Sequence, residues 1–324
     1  MHLFRWDLDR TYLATDIHSV RGLIRTAFES AGDKRNIPGS AALMRAQRSG
    51  DPGARIHVLS GSPTQLRKVL KEKLALDGVV PDQMVLKDNL GNLRRGRLSA
   101  VRGQVGYKLP VLLAERAALP PETRESLFGD DAEVDALIYA AYAAAVSGAL
   151  DEAGLVRLLR AGEAYPDTIE VARAALRRIP RAPAVEAIFI HLDLHTPLVR
   201  FADFGVIPVF SWFQAAMVEF VTGRISAEGL VEVARSCTGE GQLSEVALVG
   251  LFQDAVRRAL VPVAAAGEIL RMEPFSALRP RGERALSLLG CAPEPAPSGP
   301  VDWVGALTRT RSVANLAAAA SVKR

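Results

Sequence analysis

The sequence predicts an α/β fold built on a parallel sheet. Short apolar runs alternate with helical patterns over the first two hundred residues, as in strands that are joined by crossover helices. Of the 324 residues, 49% are hydrophobic and only 6% are aromatic, and alanine and leucine are plentiful, so we expect helix to be the majority element. A chain of this length can bury a sizeable core, as one large or two modest domains.

Five strands are predicted from short apolar runs that end in turn-forming or polar residues. In chain order they are Leu3–Trp6, Ile56–Leu59, Gln83–Leu86, Ser126–Phe128 and Val185–Ile190. Ser60–Pro63 is interpreted as the turn that closes the second strand, because glycine and proline favour turns.

Helical spacing predicts the elements between and after these strands. One helix follows Pro63, and another has Tyr107 and Lys108 in its first turn. Two helical stretches, about 150–163 and 167–179, lie between the fourth and fifth strands, which is more than one crossover needs. The longest apolar stretch, Phe204–Val221, predicts one buried helix rather than a membrane span.

Beyond about residue 225 the pattern is helical only, and a Pro-rich segment follows Cys291. This change in pattern predicts three parts of the chain. They are a core over 1–225 with a helical insertion at about 150–180, a helical extension over 226–290, and a Pro-rich linker and tail over 291–324.

Charge and cysteine content exclude several classes of function. The net charge is only +4, from 40 basic and 36 acidic residues that are largely interspersed, so we do not expect nucleic acid as a partner. The basic run Arg94–Arg97, with Arg102 and Lys108 after it, is either a solvated loop or a rim that attracts anions. With two cysteines, Cys237 and Cys291, and no room for a signal peptide before the first strand, we expect a reduced, cytoplasmic protein.

The most informative motif is Asp7-Leu-Asp9-Arg-Thr11, directly after the first predicted strand. Ligands bind at the carboxyl ends of the strands in a parallel sheet, so both carboxylates are expected to face that crevice. One aspartate there can act as a nucleophile while the other serves as acid and base, with a divalent metal ion between them. The motif thus predicts the front half of a phosphoryl-transfer site, with Thr11 as a candidate phosphate-binding residue.

Residues at later strand ends complete this prediction. Ser60 and Gly61 follow the second strand, Lys108 lies in the first turn of a helix, and a Gly129-Asp130-Asp131 cluster with Asp135 follows the fourth strand. Each of these would be unremarkable alone, as a turn serine, a surface lysine or an acidic loop. Their joint occurrence, in this order and at successive strand ends, is improbable by chance.

The chemistry of phosphoryl transfer assigns a role to each residue. Asp7 attacks phosphorus, and Asp9 protonates the leaving oxygen and later deprotonates water. Ser60 and the amide of Gly61 hold phosphoryl oxygens, and Lys108 offsets negative charge. We expect the metal to be Mg2+, held by Asp7, the backbone carbonyl of Asp9 and the carboxylate of Asp130. Asp131 or Asp135 holds a metal-bound water or orients Lys108, and Lys87 is the alternative to Lys108.

These four motifs resemble those of the haloacid dehalogenase superfamily of aspartate-nucleophile phosphatases. Within it, the sequence is most similar to the actin-patch-associated phosphatidate phosphatase family. The residues that carry the resemblance are Trp6–Thr11, Ile37–Gly39, Leu59–Pro63, Leu86–Asp88, Tyr107-Lys108, and Gly129–Asp135 with Ile138 and Tyr139. One departure is Arg10, at a position where the family is expected to carry an acidic residue.

The resemblance covers about residues 1–145 and implies a three-layer Rossmann-like core with a minimal cap. It also implies dependence on Mg2+ and a phosphate monoester substrate, with phosphatidate as the first candidate. Such a protein would be cytoplasmic or peripheral to an anionic phospholipid membrane, and no oligomeric state is predicted. The alternatives are a phosphatase of a soluble phosphate ester, a phosphotransferase, and a non-catalytic scaffold on a phosphatase-like core.

Overall fold

The computed structural model describes residues 1–14, 30–88, 103–132, 134–239, 243–273, 275, 280–283 and 301–309. Its centre is a six-stranded sheet in which every neighbouring pair is parallel, in the order β3-β2-β1-β4-β5-β6. The strands are β1 His2–Trp6, β2 Arg55–Pro63, β3 Gln83–Lys87, β4 Arg124–Asp130, β5 Val185–His191 and β6 Ile207–Val209. The predicted α/β fold with a parallel sheet is confirmed.

Helices pack on both faces of this sheet. In chain order they are α1 Ser40–Gly50, α2 Arg67–Leu76, α3 Val105–Arg116, α4 Asp135–Ser147, α5 Glu152–Ala161, α6 Pro166–Arg178, α7 Trp212–Val221, α8 Ala227–Gly239, α9 Glu245–Arg257 and α10 Val263–Ile269. The predicted helical pair between the fourth and fifth strands corresponds to α5 and α6. The predicted helical part after residue 225 corresponds to α8, α9 and α10, and α8 packs against α1 and α7.

The strand order places a topological switch point between β1 and β4. The chain builds β2 and β3 on one side of β1, and β4, β5 and β6 on the other. In such doubly wound sheets the crossovers leave in opposite directions at this point, which opens a crevice at the carboxyl ends of the two central strands. Asp7 directly follows β1 and Asp130 ends β4, so both lie at this crevice.

The core beneath the crevice is dense with aromatic rings. Trp6 stacks on Phe128 with 4.2 Å between ring centroids and 3° between planes, and Phe128 contacts Phe189 at 5.1 Å. Trp212 packs against both Trp6 and Phe128, and all four side chains are buried. Because such interiors are close-packed, the ends of β1, β4 and β5 have little freedom to shift relative to each other.

Two sequence predictions about local structure are wrong. Phe204–Val221 is not one helix, because β6 Ile207–Val209 precedes a helix that begins only at Trp212. Ser211, two residues after the strand, caps this helix by accepting a hydrogen bond from the amide of Phe213, a role for which serine is favoured. Ser60–Pro63 is not a closing turn either, since β2 continues through it and pairs Pro63 with Lys87.

Several predicted features lie outside the described residues. These are the basic run Arg94–Arg102, Cys291, the Pro-rich segment 292–300 and the final tail after residue 309. Residues 15–29, which follow the first motif and where a small cap is expected, also lie outside them. Within the described part of the chain, no helix combines the length and the apolar character that a membrane crossing requires.

Candidate active site

The carboxyl edge of the sheet brings side chains from four elements together. Asp7 follows β1, Ser60 lies near the end of β2, Asp130 ends β4, and Lys108 is in the first turn of α3. All four are buried, with exposures of 1% or less. Buried charged groups are rare unless they are paired or bind a ligand, so this edge is the candidate active site.

Lys108 joins two of the carboxylates. Its Nζ lies 3.1 Å from Oδ1 of Asp7 and 2.5 Å from Oδ1 of Asp135. Asp135 is the first residue of α4, so its position depends on the turn that leads from β4 into this helix. The ammonium group is therefore fixed between the first motif and the fourth, as an electrostatic partner of Asp7 must be.

Asp7, Asp130 and Asp135 form a group of three buried carboxylates. One oxygen of each lies within 4.8 Å of the others, so the three could hold a metal ion. Hard divalent cations prefer carboxylate oxygens, and a single lysine contacting two of three carboxylates leaves net negative charge for a cation to offset. The chemistry of the donor set therefore fits a metal ion such as Mg2+.

Asp9 is held by the end of β2. Its Oδ2 accepts hydrogen bonds from Ser60 Oγ at 3.2 Å and from Ser62 Oγ at 2.7 Å. Thr11, one turn further, donates from its Oγ1 to Oδ2 of Asp130 at 3.2 Å. The structure thus pairs Asp9 with Ser60 and pairs Thr11 with Asp130.

The two candidate lysines have different surroundings. Lys87 is also buried, but its Nζ donates to the backbone oxygen of Gly103 at 2.8 Å and lies 5.3 Å from the centroid of the Tyr107 ring. Lys108 contacts the carboxylates directly. The geometry therefore favours Lys108, as the sequence analysis does, for the role of neutralising charge at Asp7.

Asp131 points away from the three carboxylates. Its two oxygens accept hydrogen bonds from the amides of Leu194 and Thr196, at 2.8 and 2.9 Å, in the loop after β5. Asp193 in the same loop forms an ion pair with Arg10 at 2.6 Å. Asp131 and Arg10 both bind the loop after β5, and Arg10 thereby connects this loop to the first motif. Asp135, in contrast, lies beside Lys108.

Arg10 has an unusual backbone conformation. Its φ is 58°, in the left-handed region that residues with a Cβ rarely adopt. Its amide donates to the carbonyl oxygen of Leu13 at 2.8 Å, which closes the loop after the first motif. The ion pair with Asp193 helps to hold this conformation. Arg10, which stands where the family is expected to carry an acidic residue, is thus paired with an acidic residue elsewhere in this chain.

Two histidines, His191 and His195, lie near the end of β5. His191 stacks on Trp212 with 5.4 Å between centroids, and burial lowers its pKa. His195 lies with its Nδ1 3.1 Å from the carbonyl oxygen of Leu192. Within the described residues, neither belongs to a group of metal-binding side chains.

Two residues of the site stand out only in the structure. Ser62 donates to Asp9, and Tyr107 donates from its hydroxyl to the carbonyl oxygen of Ser60 at 3.1 Å. Burial raises the pKa of Tyr107, so its hydroxyl remains a donor at neutral pH. No regular pattern in the sequence identifies Ser62, because the register of β2 against β3 shifts between Ser60 and Pro63 and the alternation of side chains is broken there.

Gly129 leaves the space that Asp135 occupies. A Cβ at position 129 would lie 2.7 Å from Oδ2 and 2.8 Å from Cβ of Asp135, and 2.8 Å from the Tyr139 ring. The Cβ of Asp135 is fixed to the backbone of α4 and cannot rotate away. Glycine is therefore required here by the close approach of α4 to β4, rather than by a left-handed φ.

We expect Gly129→Ala to displace Asp135 and, through it, Lys108. A displacement of this kind near reacting groups can cost about 100-fold in rate. The measurement is kcat/KM for p-nitrophenyl phosphate, with Gly250→Ala in α9 as a control, because a Cβ added at Gly250 has nothing within 4 Å. An unchanged kcat/KM in a folded Gly129→Ala variant would show that the position of Asp135 does not matter.

The candidate site residues Asp7, Ser60, Lys108 and Asp130 all lie in a part of the chain that a comparison with protein families covers. Residues 6–152 match the family model of the phosphatidate phosphatase APP1 catalytic domain. The match confirms the resemblance inferred from the motifs and supports phosphatase activity. It covers under half of the chain and ends at the start of α5, so β5, β6 and the later helices lie beyond it. Comparisons with curated proteins and with solved structures find no match.

Proposed function

We propose that this protein is a Mg2+-dependent phosphatase of the haloacid dehalogenase type, which hydrolyses a phosphate monoester through an aspartyl-phosphate on Asp7. The observation that carries the proposal is the contact of Lys108 with both Asp7 and Asp135 at the switch point of the sheet. The family match over the same residues supports a phosphate ester as the substrate.

In the first half of the reaction, an oxygen of Asp7 attacks phosphorus as the bond to the leaving oxygen breaks. Asp9 gives a proton to that oxygen, which leaves as an alcohol. In the second half, Asp9 accepts a proton from water as the water oxygen attacks phosphorus, and the bond between phosphorus and Asp7 breaks. Asp9 is available for both steps because its carboxyl group is held by the hydroxyls of Ser60 and Ser62 and is not part of the three-carboxylate group.

Other residues bind the phosphoryl group and balance its charge. Ser60 and the amide of Gly61 hold its oxygens, and Thr11 supports Asp130 from the other side. Lys108 neutralises Asp7 and is oriented by Asp135. Mg2+ would be held by Asp7, Asp130 and the backbone carbonyl of Asp9, with Asp135 near enough to contribute, and it supplies positive charge for the phosphoryl oxygens.

For the substrate, we propose phosphatidate, on the strength of the family match, with a soluble phosphate ester as the alternative. A lipid substrate requires the protein to reach a bilayer surface, so this version of the proposal includes peripheral membrane binding. Phosphatidate dispersed in detergent and p-nitrophenyl phosphate distinguish the two substrates, because only the first tests recognition of the lipid.

Removal of the metal is the first test. We expect phosphate release from p-nitrophenyl phosphate to fall at least ~100-fold in EDTA, since the carboxylates at the site would then repel the substrate phosphate. Addition of Mg2+ in excess should restore it, and EDTA already saturated with Mg2+ should have no effect. Release that persists after complete removal of divalent ions would contradict the proposal. Faster release from phosphatidate than from soluble esters would support the lipid version.

A further inference from the structure

We infer that Ser62 is a positioning residue, which holds the carboxyl group of Asp9 in the orientation that transfers a proton to the leaving oxygen. This inference rests on the proposed function and deepens it. At the end of the second strand, the sequence predicts that Ser60 and Gly61 bind phosphate, and it predicts no role for Ser62.

Hydrogen bonds join Ser62, Ser60 and Asp9 to one another. The hydroxyl of Ser62 donates to Oδ2 of Asp9 at 2.7 Å, which is shorter than the 3.2 Å bond from Ser60 to the same oxygen. The amide of Ser62 donates to Oγ of Ser60 at 2.9 Å. Ser62 therefore fixes Asp9 directly, and also indirectly by fixing the hydroxyl of Ser60.

The backbone around Ser62 explains how one strand end supplies both hydroxyls. Pairing between β2 and β3 shifts register here, since Ser60 lies opposite Leu86 whereas Pro63 lies opposite Lys87. Gly61 and Ser62 are the extra residues of this bulge, a feature that redirects side chains near active sites. Tyr107 holds the carbonyl of Ser60 from α3, so the bulge is fixed on that side too.

Burial makes these contacts effective. Asp9 is 8% exposed and Ser62 is 9% exposed, so water competes little for the carboxylate oxygen. A carboxyl group that transfers a proton must point its acidic oxygen at the leaving oxygen, and rotation about its side-chain bonds would lose that alignment. Two hydroxyl donors on Oδ2 oppose such rotation.

The chemistry separates this role from a merely structural one. A leaving group that is a poor anion needs the proton of Asp9 as its bond to phosphorus breaks, whereas p-nitrophenolate leaves without one. Because kcat/KM reports the steps up to the first irreversible one, it senses this proton transfer for the poor leaving group only. Phenyl phosphate and p-nitrophenyl phosphate differ in leaving group and have nearly the same shape.

The test is therefore kcat/KM for these two esters in Ser62→Ala, Ser62→Thr and the wild type. We expect Ser62→Ala to lower the value for phenyl phosphate at least ~10-fold, part of the 10²- to 10⁴-fold that acid–base catalysis contributes, and the value for p-nitrophenyl phosphate at most ~2-fold. Ser62→Thr keeps the hydroxyl and should restore most of the loss. Equal losses on both esters would overturn the inference.

Three further variants make the outcome unambiguous. Ser126→Ala removes another buried hydroxyl, which lies 2.9 Å from Nε2 of His2 in the amino-terminal half of β4, and should leave the ratio of the two kcat/KM values unchanged. If Ser62→Ala does not fold, Ser62→Cys keeps the volume with a weaker donor and should show the same selective loss. If Asp7→Asn retained full activity, the proposed function itself would fail, whereas equal losses in Ser62→Ala with an inactive Asp7→Asn would reject only the role of Ser62.

Discussion

Replacing Asp7 with asparagine is expected to lower kcat/KM for p-nitrophenyl phosphate by at least ~1000-fold, because the substitution removes the covalent nucleophile. The amide has nearly the same shape as the carboxylate but cannot form the aspartyl-phosphate. Asp7 is 1% exposed and contacts Lys108 at 3.1 Å, so the substitution acts at the centre of the site. The measurement is phosphate release with Mg2+ present, together with acid-quenched capture of labelled phosphoenzyme.

A matched control separates loss of the nucleophile from loss of an acidic residue. Asp82 accepts hydrogen bonds from Arg48 and from the amide of Ile56 just before β3, away from the carboxyl edge. Asp82→Asn should keep its activity, although its stability falls as these contacts weaken. Phosphoenzyme that still forms in Asp7→Asn would show that another side chain is the nucleophile.

Replacing Lys108 with methionine is expected to have the second largest effect. Methionine fills a similar volume but leaves Asp7 and Asp135 close together without their common cation. We expect at least a ~100-fold loss in kcat/KM, because the charge of the nucleophile and of the incoming phosphate is no longer offset. Removing one member of a buried ion pair also costs about 3–5 kcal/mol of unfolding free energy, which denaturant unfolding without substrate would measure.

Lys87→Met is the matched variant, because Lys87 is equally buried and contacts a backbone carbonyl and an aromatic ring. It should lower stability with a much smaller loss of activity than Lys108→Met. A larger loss of activity in Lys87→Met than in Lys108→Met would assign the role of the motif lysine to Lys87.

Five of the six strands of the sheet could be predicted from the sequence. Five strands were predictable because each is a short apolar run followed by turn-forming or charged residues. The sixth, Ile207–Val209, was not, because it continues into the apolar helix that starts at Trp212 and the composition does not change between them. Only the cap at Ser211 separates the two elements, and a single serine is too weak a signal to divide an apolar stretch.

The residue types at the strand ends, and their order along the chain, can be read directly from the sequence. That was enough to place Asp7, Ser60 and Asp130 together, because all parallel strands end at the same edge of the sheet. The tertiary structure alone decided that Asp135 contacts Lys108 while Asp131 binds the β5 loop, and that Ser62 reaches Asp9. The physical reason is that neighbouring residues at a strand end point to opposite sides, so one residue of difference in a turn or bulge redirects a side chain entirely.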